Sequence, residues 1–308
     1  MKIVITGATG FIGRALCNKL AKEHNVIALT RRLEKASIIF QTPVDIIKWN
    51  PEVMDGWEKY LEGSDTVLNL AGANLAAGRW TKDLKAEIVN SRINSSGILL
   101  QAIKKTQAKP KTFIIASAIG FYGSRGDEQL YEETENGQGF LAEVCRKNES
   151  IVKEFEDLDV RTIVIRTGVV LDTSGGALPK MAMPFRFYIG GYWGSGRQWI
   201  SWISLADEIS AIKFLIENYR LKGVFNLTSP EPERNHHFFQ ILGDRLKKPC
   251  WLPMPAFFLK IMFGQMADEL FLTSQRVYPK KLLAAGFKFR NPNLKNALQS
   301  MKFRRIRL

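Results

Sequence analysis

Along the first two thirds of the chain, short β-branched apolar runs alternate with stretches whose apolar residues recur every three to four positions. The runs Lys2 to Thr6, Asn25 to Thr30, Val44 to Lys48, Asp65 to Leu70, Thr112 to Ala116 and Arg161 to Thr167 read as strands. Phe11, Ile12, Ala15, Leu16 and Leu20 carry the helical period after the first run. Further helices are predicted after Trp80 through Arg92, from Phe140 to about Phe155, and from Ile203 to Leu215; Gly223 to Leu227 adds a seventh strand. Strand and helix alternating in one direction predict an α/β fold, a doubly wound parallel sheet.

The pattern changes after Leu171. Gly175-Gly176 opens a stretch rich in Gly, Trp, Phe and Pro, without a clear period, that runs through Gly194 to Trp199. From Ser229 the chain reads as mostly helical, broken at Pro249 to Pro255 and ending in a unit near Leu282 to Leu298. The expected organisation is a sheet domain over residues 1–170, rejoined by 203–228. A smaller, mostly helical substrate-side region comprises 171–202 and 229–308. The chain of 308 residues, 45% apolar and 24% charged, suits such a globular α/β protein.

Cys17, Cys145 and Cys250 are scattered and form no Cys-x-x-Cys pair, so the expectation is a reducing, cytoplasmic compartment without disulfides. The first residues already read as strand, leaving no cleavable leader. The longest apolar candidate, Pro255 to Phe263, is too short to span a bilayer and is interrupted by Lys260, so no membrane partner is expected. The net charge of +14 raises nucleic acid as a partner. The bases are dispersed, however, with one dense cluster at Lys302-Phe303-Arg304-Arg305-Ile306-Arg307, which argues against that reading and for a small-molecule partner.

Chemistry concentrates where the first strand meets its helix. Gly7, Gly10 and Gly13 stand in a Gly-x-x-Gly-x-x-Gly turn, distinct from the Gly-x-Gly-x-x-Gly dehydrogenase spacing. Strand, glycine turn and helix together form the context for dinucleotide binding. Gly7 permits the tight turn, Gly10 a close approach of pyrophosphate, and Gly13 the packing of helix on strand. The helix N-terminus offers free N–H groups to phosphate. Gly7, Thr9, Gly10, Phe11 and Ile12 are the expected cradle. The second strand ends in Arg31-Arg32 without an Asp or Glu, which points to the 2′-phosphate of NADP(H) rather than the 2′-hydroxyl of NAD. Asn50 is placed to meet adenine. The small residues after Leu70, namely Ala71 and Gly72, let the backbone lie against the cofactor. Asn74 follows, and Arg79 is placed to hold a phosphate or a substrate anion. Ala116, Arg166, Gly168 and Val169, at the ends of the fifth and sixth strands, complete the candidate cofactor set.

Thr6-Gly7-Ala8-Thr9-Gly10-Phe11-Ile12-Gly13, Asn69-Leu70-Ala71-Gly72, Ser117-Ala118-Ile119-Gly120-Phe121-Tyr122-Gly123 and Arg166-Thr167-Gly168-Val169-Val170-Leu171 together resemble the extended short-chain dehydrogenases/reductases. These are the NAD(P)-dependent sugar-nucleotide epimerases and dehydratases, with a Rossmann domain. Phe140 to Cys145, Gly194 to Trp199, Phe225 to Thr228 and Ser274 to Val277 bring the likeness closer to an atypical branch. That branch is the epimerase-family or cell-division-inhibitor-like proteins, with a C-terminal domain of unknown function. The resemblance implies NADP(H) on the Rossmann domain and a substrate side formed by the C-terminal region.

It also implies a Tyr-x-x-x-Lys pair on the helix after the fifth strand, with a serine at the strand end orienting the substrate oxygen. Ser117 supplies the serine. Phe140 and Val144 stand where the pair belongs, and neither can move a proton or hold a ribose. Glu143 and Lys147 share the four-residue spacing of a surface ion pair. Tyr122 is the leading substitute donor, with Tyr131 and Glu133 nearby in sequence. Where the branch commonly has a histidine, this chain has Ser204; Asp207 reads as a helix-start residue. His24, His236 and His237 give no triad or metal pattern, and no metal is expected. The expected function is an NADP(H)-binding oxidoreductase or epimerase acting on a small polar or nucleotide-linked substrate. The alternative is an NADPH-binding sensor or structural protein with little catalysis.

Overall fold

Seven strands form the central sheet: β1 (Lys2–Thr6), β2 (Asn25–Thr30), β3 (Asp45–Lys48), β4 (Thr66–Asn69), β5 (Thr112–Ala118), β6 (Arg161–Thr167) and β7 (Gly223–Leu227). The computed structural model describes residues 1–303; the bases from Arg304 to Arg307 lie outside the described residues. The strand order is β7-β6-β5-β4-β1-β2-β3. β1 runs parallel to both β2 and β4, with Ile3 opposite Val26 on one side and Thr66 on the other. β2–β3 and β4–β5 are parallel as well. This is the doubly wound α/β order, in which the chain turns outward in both directions from β1. Ile3, Val4 and Ile5 are all fully buried, as expected of a strand covered on both faces.

Helices α1 (Phe11–Leu20), α2 (Leu33–Ile39), α3 (Lys82–Lys105), α4 (Phe140–Glu149) and α5 (Val152–Glu156) alternate with these strands. α3 is far longer than the helix expected to end at Arg92. It continues through Asn94, Ser95, Ser96 and Gly97, where Ser95 is fully buried and bonds back to the carbonyl of Arg92 (3.0 Å). The Phe140 to Phe155 helix is interrupted before α5. Phe113 and Phe155 stack at 3.8 Å between ring centroids, within a core that includes Val4, Leu29, Trp57 and Leu99.

The remaining helices are α6 (Leu178–Arg186), α7 (Leu205–Glu217), α8 (Asn235–Leu246), α9 (Ala256–Phe263), α10 (Lys280–Ala284) and α11 (Leu294–Ser300). α6 lies in a stretch expected to be loop. Pro179 in its first turn and Pro184 inside it masked the helical period. Ile203 and Ser204, expected to open a helix, lie in a short strand, Trp202–Ser204, parallel to Val169–Asp172. The chain divides into two units of three segments each. The first comprises Met1–Ala118, Val144–Arg166 and Ile209–Phe225; the second comprises Ile119–Glu143, Thr167–Glu208 and Asn226–Leu308. Residues 119–143, placed by sequence in the sheet domain, group with the second unit, and the returning segment is 209–225 rather than 203–228. The second unit has its own core of Leu171, Leu178, Phe185, Trp202, Phe238, Phe239, Leu294 and Leu298. Among the described residues no helix is long and apolar enough to cross a membrane.

Two acids hold the second unit from inside. Asp207 accepts from the backbone N–H of Arg290 (2.7 Å) and Asn291 (3.0 Å) and from the Ser204 hydroxyl (2.7 Å), tying the C-terminal segment to the start of α7. Glu208 is fully buried. Its Oε1 accepts from the Thr167 hydroxyl (2.8 Å), and its Oε2 has no hydrogen-bond partner among the described residues. Burial pushes its pKa from 4.5 up to about 8, against the opposing effect of the Thr167 bond. Between those values the native protein holds a proton that the unfolded chain releases, so stability falls as pH rises across that window. Glu208→Gln keeps the acceptor for Thr167 and cannot ionise. Denaturant midpoints measured from about pH 5 to about pH 8 are expected to decline less in the variant than in wild type. Parallel declines would show that Glu208 is not a neutral acid in the native state.

Candidate functional site

In the first unit the glycine turn is forced by proximity. Gly7 has φ +67°, and a Cβ there would lie 2.5 Å from the carbonyl oxygen of Leu70. A Cβ on Gly13 would lie 2.3 Å from the carbonyl oxygen of Gly7. Strand, turn and helix therefore meet at backbone distance, and only glycine fits. Gly10 is exposed, caps α1 with its extended backbone and donates its N–H to Gly7 O (2.9 Å). No side chain caps α1 and no acid stands in its first turn, so its positive end is not neutralised locally. Thr9, Phe11 and Ile12 are half-buried around it. The structure thus brings Gly7 together with Leu70 and Ala71, as expected of a cradle whose floor is backbone.

That floor is braced from behind. Asn69 Oδ1 accepts from the Thr6 hydroxyl (2.6 Å) and from Ala71 N (3.1 Å), while its Nδ2 donates to Ser96 Oγ (2.9 Å). Ser96 donates to Asn148 Oδ1 (3.3 Å), and Asn148 Nδ2 donates to Ala116 O (3.0 Å). One chain of side chains thus links the ends of β1, β4 and β5. Ser91 and Arg92 hold the next residues: Ala73 N donates to Ser91 Oγ (2.9 Å), and Arg92 donates to Ala73 O (3.3 Å) and Ile88 O (2.9 Å) beneath Gly72. Burial lowers the Arg92 pKa from its ordinary value.

Arg31 and Arg32 are exposed at the end of β2, and neither has an ion-pair partner among the described residues. Asn50 is half-buried. Its Oδ1 accepts from Glu52 N (3.0 Å), so half of its amide is spent on a local turn rather than aimed at a ligand. Asn74 does the same with Ala76 N (2.9 Å). Arg79 lies exposed just before α3.

Ser117 is half-buried, and its hydroxyl donates to Glu149 Oε1 (2.5 Å). Glu149 is in turn held by Arg166 through Nε (3.1 Å) and Nη2 (2.7 Å), a two-point charged contact with both side chains nearly buried. Ser117 and Arg166 are therefore neighbours, joined by a carboxylate that sequence reasoning missed. In this structure the Ser117 hydroxyl is engaged by that carboxylate. The missed Asn148 and Glu149 were detectable as polar residues continuing the inward face of α4 beyond Val144 and Cys145. The Cys145 thiol is buried beside them, and burial first, then Glu149, raises its pKa. Burial likewise raises Cys17 to about 12, so neither thiol is a ready nucleophile.

Tyr122, Gly168 and Val169 belong to the second unit. Tyr122 is fully buried, and its hydroxyl donates to Asn226 Oδ1 (2.7 Å). A ring so placed anchors the 119–123 turn and does not present a proton to a ligand, which corrects its assignment as donor. Gly168 is required by packing, since a Cβ would lie 2.8 Å from Ser201 O, and Val169 N donates to the same carbonyl (2.9 Å). On α4, Phe140 is half-buried and Val144 buried, while Glu143 and Lys147 are exposed. Tyr131 is tied to Gln129 and Glu133 to Lys280. A cleft of about 470 Å³ in the second unit is lined by Asp127, Ser195, Arg197, Gln198, Arg234 and Ser274. Beside it Trp199 is flanked by Arg234 (4.1 Å) and Arg276 (4.4 Å), with Asp127 bonded to both Trp199 (2.9 Å) and Arg234 (2.7 Å). In the grouping of Glu23, His24 and Glu217 both carboxylates are paired with the Lys213 ammonium, at 2.7 Å from Glu23 and 3.0 Å from Glu217.

Residues 3–166 match the NAD dependent epimerase/dehydratase family, and residues 254–301 match a domain of unknown function, DUF1731. The chain is 38% identical over 307 residues to a chloroplastic epimerase family protein SDR39U1 homolog of Arabidopsis thaliana, covering 98% of this chain and 86% of that protein. It is 36% identical over 302 residues to an epimerase family protein of Staphylococcus aureus, covering 97% and 98%. Human epimerase family protein SDR39U1 (isoform 2), solved with NADPH, superimposes with a TM-score of 0.88 at 30% identity, covering 98% of this chain and 99% of that one. On the strength of the glycine cradle, the sheet order and these likenesses, the chain belongs to the NAD-dependent epimerase/dehydratase family.

Proposed function

We propose that this protein binds NADP(H) on its first unit and serves as an oxidoreductase or epimerase-like protein for a small polar or nucleotide-linked substrate. The observation that carries the reading is the glycine cradle, whose Gly7 and Gly13 positions leave no room for a Cβ. The backbone between them is available to a pyrophosphate at the start of α1. The pair Arg31 and Arg32, without an acidic residue beside them, favours a 2′-phosphate over a free ribose hydroxyl. The NADPH found with the human relative agrees with this choice. Bound there, the cofactor supplies hydride chemistry; the chain supplies the cradle, the two guanidiniums and the braced floor at Leu70 to Ala73. The cationic and aromatic cleft around Trp199 suits a polar, anionic part of a substrate. We place the protein in a reducing, cytoplasmic compartment, consistent with its free Cys17, Cys145 and Cys250.

A second reading, an NADPH-binding sensor with little catalysis, draws on one observation. The α4 positions expected for the Tyr-x-x-x-Lys pair hold Phe140 and Val144, and the substitute Tyr122 is buried against Asn226. Single-turnover oxidation of NADPH against a panel of carbonyl compounds and sugar nucleotides separates the two readings. Measurable turnover supports an enzyme, and tight binding without turnover supports a sensor.

Arg31→Ala with Arg32→Ala is expected to weaken NADPH binding by about 10- to 100-fold, the scale of lost charged hydrogen bonds, while NADH binding changes by less than about twofold. Titration by cofactor fluorescence checks this; equal losses for the two cofactors would remove the 2′-phosphate assignment. Tyr122→Phe is expected to lower unfolding stability by about 1–3 kcal/mol by stranding Asn226 Oδ1, and to leave any NADPH turnover intact. Loss of turnover at unchanged stability would restore Tyr122 as the proton donor.

A further inference from the structure

The segment Pro255 to Phe263, too short to span a bilayer, forms α9 with its apolar residues on two sides. Leu259 points inward and is buried, and the Phe263 ring packs on Phe271 at 5.0 Å. Phe257, Phe258, Ile261 and Met262 share the other side, at positions that form one stripe along a helix. All four are exposed, Phe257 by 65% and Ile261 by 66%. An ordinary surface helix turns such a stripe toward the core.

The stripe does not stand alone. Just before α9, Trp251 N and Leu252 N donate to Gly190 O (3.1 and 3.2 Å), and Trp251 Nε1 donates to Tyr188 O (2.8 Å). This pins the 187–189 turn beside residues 251–252. Phe187 is 67% and Trp251 62% exposed, with Tyr188, Ile189 and Leu252 exposed between them. Nine exposed large apolar side chains within two short segments, 187–189 and 251–262, are uncommon on a protein without a partner.

The segments that carry it are basic, with the acids Asp244, Asp268 and Glu269 at their margins. Residues 180–200 and 245–263 hold seven Lys or Arg (180, 186, 197, 245, 247, 248 and 260) and no Asp or Glu, in a chain whose net charge is +14. Arg245 turns inward to Leu298 O (2.8 Å), and Lys260 pairs with Asp268 (2.9 Å). Arg186 and Lys247 remain exposed beside the apolar edge, and Lys248 lies over the Tyr188 ring at 3.4 Å. A second copy of this chain, packed about a twofold axis, would set these bases against themselves. Aromatic and aliphatic side chains that project into solvent, rimmed by bases, are the composition that settles into the headgroup layer of an anionic bilayer.

We propose that α9 and the adjoining 187–189 and 251–252 edge form a peripheral docking surface for anionic lipid membranes. The chain lies on the bilayer through the Phe257, Phe258, Ile261 and Met262 stripe, and the bases set the preference for anionic headgroups. The test is flotation of the full chain with vesicles of phosphatidylcholine containing about 30% phosphatidylglycerol, against phosphatidylcholine alone. Binding is expected only to the anionic vesicles and is weakened by about 0.5 M salt. Phe257→Ser with Ile261→Ser is expected to reduce the partition coefficient by at least about tenfold at an unchanged thermal midpoint. Arg186→Glu with Lys247→Glu, which leaves every apolar residue in place, is expected to reduce it comparably, since each base near an anionic surface strengthens attachment roughly fivefold. Three results would overturn the proposal: no flotation at low salt, equal flotation with neutral vesicles, or a dimer in solution that the double serine variant dissociates.

Discussion

The close approach of three backbone segments at Gly7 sets the geometry of the first unit. The Gly7 position lies against the Leu70 carbonyl, and the Gly13 position against the carbonyl of Gly7. Any side chain at either point would drive β4 from β1, or α1 from the turn. The register of the central strands, the direction of α1 and the path of residues 70–73 are thus coupled through two absent Cβ atoms. The same coupling leaves the amino end of α1 facing outward without a carboxylate to neutralise it. Cofactor affinity and fold are therefore not separable properties of this turn.

Behind the turn the polar side chains are engaged in structural hydrogen bonds. The Asn69, Ser96 and Asn148 chain and the Ser117, Glu149 and Arg166 cluster satisfy nearly every polar group they contain. Buried polar networks of this kind are rigid when complete, since each member lost strands another. Such rigidity suits holding a cofactor. It also means that no side chain in the cluster offers a loosely held proton, in contrast to the Tyr-x-x-x-Lys arrangement that the superfamily resemblance implies.

Much of the fold was legible because strand and helix periods differ and the first seven strands keep theirs; β1, β2, β6 and β7 lie where the β-branched runs place them. Legibility failed where tertiary bonds override local preference. α3 was expected to end at Arg92, and nothing local shows that Asn69 awaits Ser95 and Ser96 from a distant strand. α6 was hidden by its prolines, and the outward stripe of α9 by the fact that periodicity reports faces, not which face meets water. At the site, Gly7 and Gly13 were readable because close backbone approach leaves a compositional mark. The local partners of Ser117, Asn50 and Tyr122 were not, because residue type does not disclose that a hydroxyl or amide is already engaged by Glu149, Glu52 or Asn226.

The two units are interleaved along the chain, which passes from one to the other at 118/119, 143/144, 166/167, 208/209 and 225/226. No single cut therefore releases either unit. A fragment ending at residue 166, the end of the epimerase/dehydratase match, would lack β7 and would carry residues 119–143 without Asn226, Ser274 and Gln275, to which they bond. Recognition by family and division into folding pieces thus follow different boundaries in this protein. The linear segment that inheritance has kept together is not one that can stand as a body of its own.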